Sequence, residues 1–96
     1  MLEIIIEKSF KKDINRDKIC GKYSKNDFEI LKILINSLQN LEDIDKIYKR
    51  HSLKGDLLGF ECLHIKNDWL LIFKIENNYL YLVMLGSHSQ VYKKFK

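Results

Sequence analysis

The chain has 96 residues and a mass of 11.5 kDa, with 46% hydrophobic and 31% charged residues. This length predicts a single domain, residues 1–96, with one hydrophobic core, and the composition is that of a folded protein rather than a disordered one. No apolar run approaches the ~20 residues of a membrane-spanning helix, so no membrane partner is expected. The N-terminal segment has acids inside its apolar stretch and no signal-peptide cleavage site, which predicts a cytoplasmic protein.

The charge balance favours an acidic or polyanionic partner. Seventeen Lys and Arg against thirteen Asp and Glu give a net charge of +4, which suits nucleic acid or an acidic protein. The two cysteines, Cys20 and Cys62, are too few for a disulfide framework and lack metal-ligand spacing. We therefore predict two reduced thiols and no structural metal.

The first half of the chain predicts one strand and two helices. Residues 2–7 are short and β-branched, as in a strand. Ser9 is predicted to cap a helix that carries Phe10 and Ile14 on one stripe, and Gly21 to end it. A second helix is predicted to begin at Ser24 or Asn26 and to stop near Asn40. Its apolar residues follow the helical period and form a wide buried face: Phe28, Leu31, Leu34, Ile35 and Leu38.

The second half predicts a loop followed by three strands. Residues 41–57 change from acidic to basic and contain glycine, which indicates a long, partly ordered loop. The predicted strands are Phe60–Ile65, Trp69–Glu76 and Tyr79–Leu85. The pair Asn77-Asn78 predicts a two-residue hairpin turn, because asparagine tolerates the left-handed backbone region. The tail from Gly86 begins with a turn and can end in a short helix.

This order of elements predicts an α+β fold: an N-terminal strand, two helices and an antiparallel meander, with the helices packed on one face of the sheet. Alternation along the middle strand assigns Trp69, Leu71, Phe73 and Ile75 to the core. The other face of the sheet is expected to be free for a ligand.

The three histidines of the chain occupy positions that can converge. His51 lies in the basic loop, His64 near the end of the first meander strand, and His88 just after the last strand. Asp68 lies in the turn between the first two meander strands. Because consecutive antiparallel strands meet end to start, His64, Asp68 and His88 can share one edge of the sheet, with the His51 loop folded over it.

Such a set of side chains suits acid–base chemistry near neutral pH, where imidazole can both accept and donate a proton. A reaction that fits is RNA cleavage by its own 2′-hydroxyl, with one group taking the hydroxyl proton and another protonating the leaving 5′-oxygen. Exposed aromatic residues, Phe60 and Tyr92, could stack on bases. Cations for the phosphate could come from Lys49, Arg50, Lys54, Lys93 and Lys94.

Other interpretations of the same residues stay open. A single histidine is more often an ordinary surface residue than a catalyst, and lysine clusters are usually solvated faces. Three histidines and an aspartate could also bind zinc, although their spacings match no compact metal motif.

Four runs of sequence carry a resemblance to a known family. They are HSLKG (51–55), GFECLHI (59–65), DWLLIF (68–73) and LGSHS (85–89), preceded by SFKKD (9–13). In this order and spacing the chain resembles the YafQ branch of the RelE-like toxins. The resemblance implies a compact α+β toxin of a type II toxin–antitoxin pair. It also implies a metal-independent endoribonuclease, without cofactors, that cuts mRNA on the ribosome and is inhibited by a neighbouring antitoxin.

Carried over by position, the resemblance assigns catalysis to His51, His64, Asp68 and His88. It implies proton transfer by His88 and His64, a general base or histidine-orienting carboxylate in Asp68, and phosphate binding by His51. Tyr92 stands where the family usually has phenylalanine.

The chain departs from the family pattern at several positions, of which Glu61 is the most important, because the branch commonly has an arginine there. An acid at that position would repel phosphate unless basic loop residues offset it. Ser52 and Asn67 replace prolines, which loosens two loops. Two further hypotheses are therefore a toxin-fold module that binds RNA or the ribosome without cutting, and a small metal-dependent hydrolase that uses the three histidines. A monomer is expected for the free protein.

Overall fold

The structure, a computed structural model, describes residues 1–93. The chain begins with one strand and two helices: β1 (Glu3–Ile6), α1 (Lys8–Ile19) and α2 (Lys25–Gln39). Four strands and a short helix follow: β2 (His51–Ser52), β3 (Glu61–Lys66), β4 (Trp69–Glu76), β5 (Tyr79–Gly86) and α3 (His88–Lys93). The strands form one sheet in the order β1-β5-β4-β3-β2. β1 pairs with β5 in parallel and the other pairs are antiparallel, so the predicted α+β fold is confirmed with a mixed sheet.

The two long helices begin in different ways, and only the start of α2 has a side-chain cap. Ser24 begins α2 through a capping box, in which its hydroxyl accepts from the Asp27 N–H and the Asp27 carboxylate accepts from the Ser24 N–H. The first helix begins at Lys8 with Glu7 as its N-cap, so the prediction that Ser9 caps it is wrong. The Ser9 hydroxyl instead donates to the carbonyl of Val83 and ties α1 to β5.

Two turns have the backbone conformation that their residues favour. Asn77 and Asn78 have φ values of +51° and +71°, and they join β4 to β5 as the hairpin that the sequence predicts. Gly21 has a φ of +78° and lies directly after the C-cap of α1, where a left-handed residue ends a helix.

The main core lies between the two long helices and one face of the sheet. Trp69 is fully buried at its centre, stacked on Tyr23 with a centroid distance of 4.1 Å and met edge-on by Phe28 at 5.2 Å. The predicted alternation along β4 is confirmed, because Trp69, Leu71 and Phe73 belong to this core and Ile75 packs against it.

A second, smaller core covers the opposite face of the sheet, so the prediction that this face is free is wrong over its centre. β4 and β5 are apolar on both sides, and the extra apolar side chains need their own cover. Residues 53–60 and α3 provide it. The second core consists of Leu53, Leu57, Cys62, Leu70, Ile72, Val83, Met84 and Val91.

The predicted loop of residues 41–57 is more ordered than its sequence indicates. It contains two short 3-10 turns, Lys46–Tyr48 and Gly55–Leu57, with β2 between them. The pairing of β2 with β3 fixes this segment at the edge of the sheet. Among residues 1–93, no helix combines the length and the hydropathy that crossing a bilayer requires.

Candidate active site

The structure brings the three histidines together at one edge of the sheet. His51 lies on β2, His64 on β3, and His88 is the first residue of α3. The ring centroids of His51 and His64 are 5.6 Å apart, and those of His64 and His88 are 5.5 Å apart. The three imidazoles therefore form a row with His64 in the middle.

Asp68 forms hydrogen bonds with His88, which is at one end of this row. Its Oδ1 accepts a hydrogen bond from the His88 backbone N–H at 2.8 Å and another from His88 Nδ1 at 2.7 Å. These two hydrogen bonds, the backbone one first, lower the pKa of the Asp68 carboxyl, which therefore remains ionised at neutral pH. Because the carboxylate can only accept, Nδ1 of His88 carries the proton and Nε2 is left for other partners.

His64 is half-buried between the other two imidazoles. Burial lowers the pKa of its imidazole, and the positive charges that His51, His88 and Lys49 can carry lower it further. A protonated His64 would sit beside like charges in a partly dehydrated place, so the neutral form is favoured. The Nδ1 atom of His64 is buried and makes no hydrogen bond to any group in residues 1–93.

A buried polar cluster on α1 holds the strand ends that carry the site. Asp13 accepts a hydrogen bond from the Leu85 N–H at 3.0 Å, and Arg16 donates to the Leu85 carbonyl at 2.7 Å. Asp17 accepts from the Trp69 indole N–H at 2.8 Å. Leu85 lies shortly before His88 in the chain, and Trp69 directly follows Asp68. The cluster therefore fixes the backbone next to both members of the Asp68–His88 pair.

Sequence reasoning missed this cluster, since two acids on a lysine-rich helix resemble a solvated face. Asp13 and Asp17 are only 4% and 3% exposed. The spacing of the two acids indicates their burial, because positions 13, 14 and 17 lie on the same stripe of the helix as the apolar Phe10.

The basic residues assigned to substrate binding differ in their surroundings. Lys49, Lys54 and Lys93 are exposed, and Lys94 lies outside the described residues. Lys49 also borders a cavity of about 200 Å³ that reaches His64. Its backbone is left-handed, with a φ of +48°, directly before the segment that carries His51.

Arg50 forms an ion pair with Glu61, the acid that stands where the family commonly has an arginine. Its Nε and Nη2 atoms donate to the two carboxylate oxygens of Glu61, at 2.8 Å and 3.1 Å. Glu61 is in register with Phe73 of the main core, whereas Cys62 belongs to the second core. Glu61 is thus neutralised, and it lies on the face of β3 opposite to that of Cys62 and His64.

The two aromatic candidates also differ. Phe60 is half-buried, packs against the second core and receives the Lys74 ammonium 5.5 Å from its ring centroid. Tyr92 is 38% exposed and its ring lies 6.2 Å from that of His88, at an interplanar angle of 28°. Burial, and next the charge that Cys62 can carry, raise the pKa of Tyr92, so its hydroxyl stays protonated.

A different set of residues has the geometry of a metal site. One ligand atom from each of His51, Cys62 and His64 lies within 4.8 Å of the others, and no further such group occurs within residues 1–93. The prediction that cysteine lacks metal-ligand spacing overlooked the run Cys-x-His, which places both side chains on one face of a strand. Burial raises the pKa of the Cys62 thiol to about 11, so the free thiol is protonated and unreactive.

Comparison with known proteins gives consistent matches over the chain. The family model described as the bacterial toxin of type II toxin–antitoxin systems, YafQ, matches residues 2–93. The mRNA interferase toxin YafQ of Escherichia coli K12 is 31% identical, over 82% of this chain and 98% of that protein.

Solved structures show the same fold. A metal-bound toxin from Helicobacter pylori is 34% identical with a TM-score of 0.82, covering 95% of this chain and 99% of that one. The toxin of the E. coli DinJ-YafQ toxin–antitoxin complex is 26% identical with a TM-score of 0.82, covering 95% and 97%. The chain therefore belongs to the YafQ family of RelE-like toxins, and it is the toxin component of a type II toxin–antitoxin system.

Proposed function

We propose that this toxin is a metal-independent endoribonuclease that cuts mRNA on the ribosome, with its active site at His51, His64, Asp68 and His88. The observation that carries the proposal is the hydrogen-bonded Asp68–His88 pair, which stands next to a half-buried, neutral imidazole. Two imidazoles in different environments are what acid–base cleavage of a phosphodiester needs.

In the proposed reaction His64 is the general base. It accepts the proton of the 2′-hydroxyl as the 2′-oxygen attacks the adjacent phosphorus. Its lowered pKa keeps the imidazole unprotonated at neutral pH, which is the form that a base requires.

His88 is then the general acid. Its Nε2 gives a proton to the departing 5′-oxygen as the P–O5′ bond breaks, and the products are a 2′,3′-cyclic phosphate and a 5′-hydroxyl. The Asp68 carboxylate fixes the ring by accepting from Nδ1, and it balances the positive charge of the imidazolium. The geometry therefore supports an orienting role for Asp68 over that of a general base.

Phosphate binding is assigned to the basic groups around the row of imidazoles. His51 is exposed at the end of the row opposite to His88, and Lys49 and Lys54 lie on either side of it in sequence. Tyr92, beside His88, is placed to stack on a base next to the scissile bond. Arg50 acts mainly by neutralising Glu61, and Phe60 mainly by packing.

The proposed partners follow from the family and from the charge. An antitoxin is the protein partner, as in the E. coli complex. The net charge of +4 suits mRNA and ribosomal RNA, and we propose that the free toxin is a cytoplasmic monomer.

The test is cleavage of a defined mRNA in a purified translation system, with cuts mapped by primer extension. The toxin is first treated with a chelator and then desalted, while the ribosomes keep their magnesium. We expect cuts that require translating ribosomes and that are lost with His88→Gln and His64→Gln. Lys49→Ala should weaken cleavage more than Lys11→Ala, which removes the same charge from the exposed surface of α1.

The hypothesis of a toxin-fold module that binds RNA without cutting it rests on the negative charge of Glu61. The ion pair with Arg50 neutralises most of that charge and so weakens this hypothesis. Inhibited translation with intact mRNA would nevertheless establish it and overturn the proposal. Cleavage that disappears after chelation and returns with a metal would establish the hydrolase hypothesis instead.

A further inference from the structure

A cavity of about 300 Å³, hereafter the Asp68 cavity, adjoins the row of imidazoles. Its wall comes from the loop between α1 and α2 and from the β3–β4 turn: Lys22, Tyr23, Lys66, Asn67, Asp68 and Trp69. Asp68 belongs to both places, because its carboxylate also accepts the two hydrogen bonds from His88. The cavity therefore begins at the residue that orients the proposed general acid.

A smaller cavity of about 200 Å³, hereafter the His64 cavity, lies at the proposed general base. His64 lines it together with Tyr48 and Lys49. Lys66 and Asn67 line both cavities, so the two adjoin at the β3–β4 turn. A single strand of RNA that reacts at the imidazoles can thus place one nucleotide in each cavity.

The rim of the Asp68 cavity carries a positive charge that is available to a ligand. Lys22 is exposed and forms no ion pair with any group in residues 1–93, whereas Lys66 is paired with Asp27 at 3.2 Å. Hydrogen bonds from His88, and more weakly the charge of Lys22, lower the pKa of the Asp68 carboxyl. The Lys22 ammonium is therefore close enough to Asp68 to act on a phosphate beside it, without breaking an ion pair of the protein.

The inner wall of the same cavity is aromatic and already ordered. Trp69 is fully buried and stacks on the half-buried Tyr23 with a centroid distance of 4.1 Å and an interplanar angle of 16°. The Trp69 indole N–H is held by Asp17 at 2.8 Å. Aromatic side chains are the usual contacts of unpaired bases. Asn67, exposed in the turn, adds an amide that can both donate to and accept from a base edge.

The positions of the two cavities set the direction of the RNA strand. The proposed base, His64, takes the proton of a 2′-hydroxyl, which belongs to the nucleotide before the scissile bond. The proposed acid, His88, protonates the 5′-oxygen of the nucleotide after that bond. Because Asp68 holds His88 and lines the larger cavity, the departing nucleotide lies on the side of the Asp68 cavity.

We propose that the Asp68 cavity binds the nucleotide that follows the scissile bond, and that Lys22 contacts the phosphate on the 3′ side of this nucleotide. Tyr23 packs against its base, and the Asn67 amide forms a hydrogen bond with the base edge. The His64 cavity receives the nucleotide that supplies the 2′-hydroxyl. The direction of the strand rests on the proposed function, because it follows from the roles of His64 and His88.

The first test measures single-turnover cleavage of a defined mRNA on ribosomes at increasing toxin concentration. Lys22→Ala should raise the concentration that gives half the maximal rate about tenfold, the effect of losing one charge-assisted hydrogen bond. Its maximal rate should change little, since Lys22 does not touch the reacting atoms. Lys11→Ala, which removes the same charge from the exposed surface of α1 and lies outside both cavities, is the matched control.

A neutral linkage in the mRNA shows which phosphate Lys22 contacts. A methylphosphonate replaces the phosphate on the 3′ side of the departing nucleotide. It should weaken the unmodified chain and Lys11→Ala by a similar factor, and it should have almost no effect on Lys22→Ala. If this linkage weakens Lys22→Ala as much as the unmodified chain, the assignment of Lys22 to that phosphate is wrong.

The occupants of the two cavities are tested by photo-crosslinking, which needs no cleavage. Ribosomes carry an mRNA with a 2′-O-methyl group on the attacking ribose, which blocks the reaction, and one 4-thiouridine either before or after the scissile bond. Mass spectrometry then locates the crosslink in the toxin. We expect the nucleotide after the bond to crosslink to residues 22–23, and the nucleotide before it to residues 47–49.

The outcomes separate this inference from the proposed function. If the chain cuts mRNA but the crosslinks are exchanged between the two segments, or fall in neither, the inference is overturned and the nuclease remains. If the crosslinks have the expected pattern but unmethylated mRNA is never cut, the cavities bind RNA as proposed and the proposed function is wrong. A chain that neither cuts nor crosslinks overturns both.

Discussion

One carboxylate oxygen of Asp68 accepts two hydrogen bonds from His88, one from its backbone N–H and one from its imidazole. The sheet register makes this pairing possible. Leu70 stands opposite Gly86 in the β4–β5 ladder, and Asp68 and His88 lie two residues beyond each of them. The same oxygen thus anchors the start of α3 and sets the tautomer of the ring that we assign as the acid.

Asp68→Asn is therefore expected to lower the mRNA cleavage rate by about 10²–10⁴-fold, the usual contribution of a positioned acid–base group. The amide has one acceptor oxygen and no charge, so it cannot balance an imidazolium. Single-turnover cleavage on stalled ribosomes measures the rate. Asp56→Asn, an exposed acid in the 3-10 turn before β3, is the control for the loss of charge. A full rate for Asp68→Asn would remove the carboxylate from the mechanism.

The imidazole of His64 is expected to titrate below its ordinary value of 6.5, since burial and neighbouring cations lower its pKa. Because the neutral form persists above this lowered pKa, the acidic limb of the cleavage rate should also lie below pH 6.5. NMR titration of the free toxin reports the His64 pKa directly. His51→Gln and His88→Gln should each raise it, because each removes a group that can carry positive charge. A midpoint above 6.5 contradicts the assignment of His64 as base.

Glu61→Gln is expected to free Arg50 for contact with RNA. The net charge rises from +4 to +5, because one acid is lost from thirteen. If Arg50 then reaches one phosphate, binding to a single-stranded RNA oligonucleotide should strengthen at low salt. The slope of the logarithm of the binding constant against the logarithm of the salt concentration should become more negative by about 0.7. Fluorescence anisotropy at several salt concentrations measures both effects. Glu29→Gln, on the exposed side of α2, makes the same charge change away from Arg50 and should alter the slope less.

Much of the fold could be predicted from local patterns. The period of α2, the Asn77-Asn78 turn and the alternation of Trp69, Leu71 and Phe73 depend on near neighbours in sequence, and the structure confirms them. The parallel pairing of β1 with β5 and the second core depend on distant segments, so no local pattern announces them. A helix cap at Ser9 was the wrong choice because a tertiary acceptor, the Val83 carbonyl, takes its hydroxyl.

The candidate site shows the same division. Convergence of His64, Asp68 and His88 follows from strand order, which the sequence indicates well. The neutralisation of Glu61 by Arg50 and the proximity of Cys62 to His51 require the β2–β3 register, and β2 has only two residues. A strand that short gives no periodic signal.

Asp17→Ala is expected to destabilise the fold by about 2–3 kcal/mol, because a buried indole N–H loses its acceptor and Arg16 loses a carboxylate partner. The free energy of unfolding from urea denaturation measures this. Glu42→Ala removes an exposed acid and should change the free energy by no more than about 0.5 kcal/mol. Equal stabilities for the two variants would mean that the α1 cluster does not hold the strand ends.

The capping box of α2 offers a test with a matched control in the same helix. Ser24→Ala removes the side-chain acceptor of the Asp27 N–H and should lower the free energy of unfolding by about 1 kcal/mol. Ser37→Ala makes the same chemical change inside α2, where alanine is the better helix former, and should be neutral or slightly stabilising.

The pH dependence of this cap has a definite sign. The Ser24 backbone N–H, and next Lys66, lower the pKa of the Asp27 carboxyl below its ordinary value of 3.8. A depressed folded-state pKa adds stability that is complete well above 3.8 and disappears as the pH falls through the lower value. Asp27→Asn should therefore be less stable than the unmodified chain at pH 7, with the difference shrinking below pH 3.8. A constant difference in urea unfolding across this range would show that the Asp27 charge does not stabilise the start of α2.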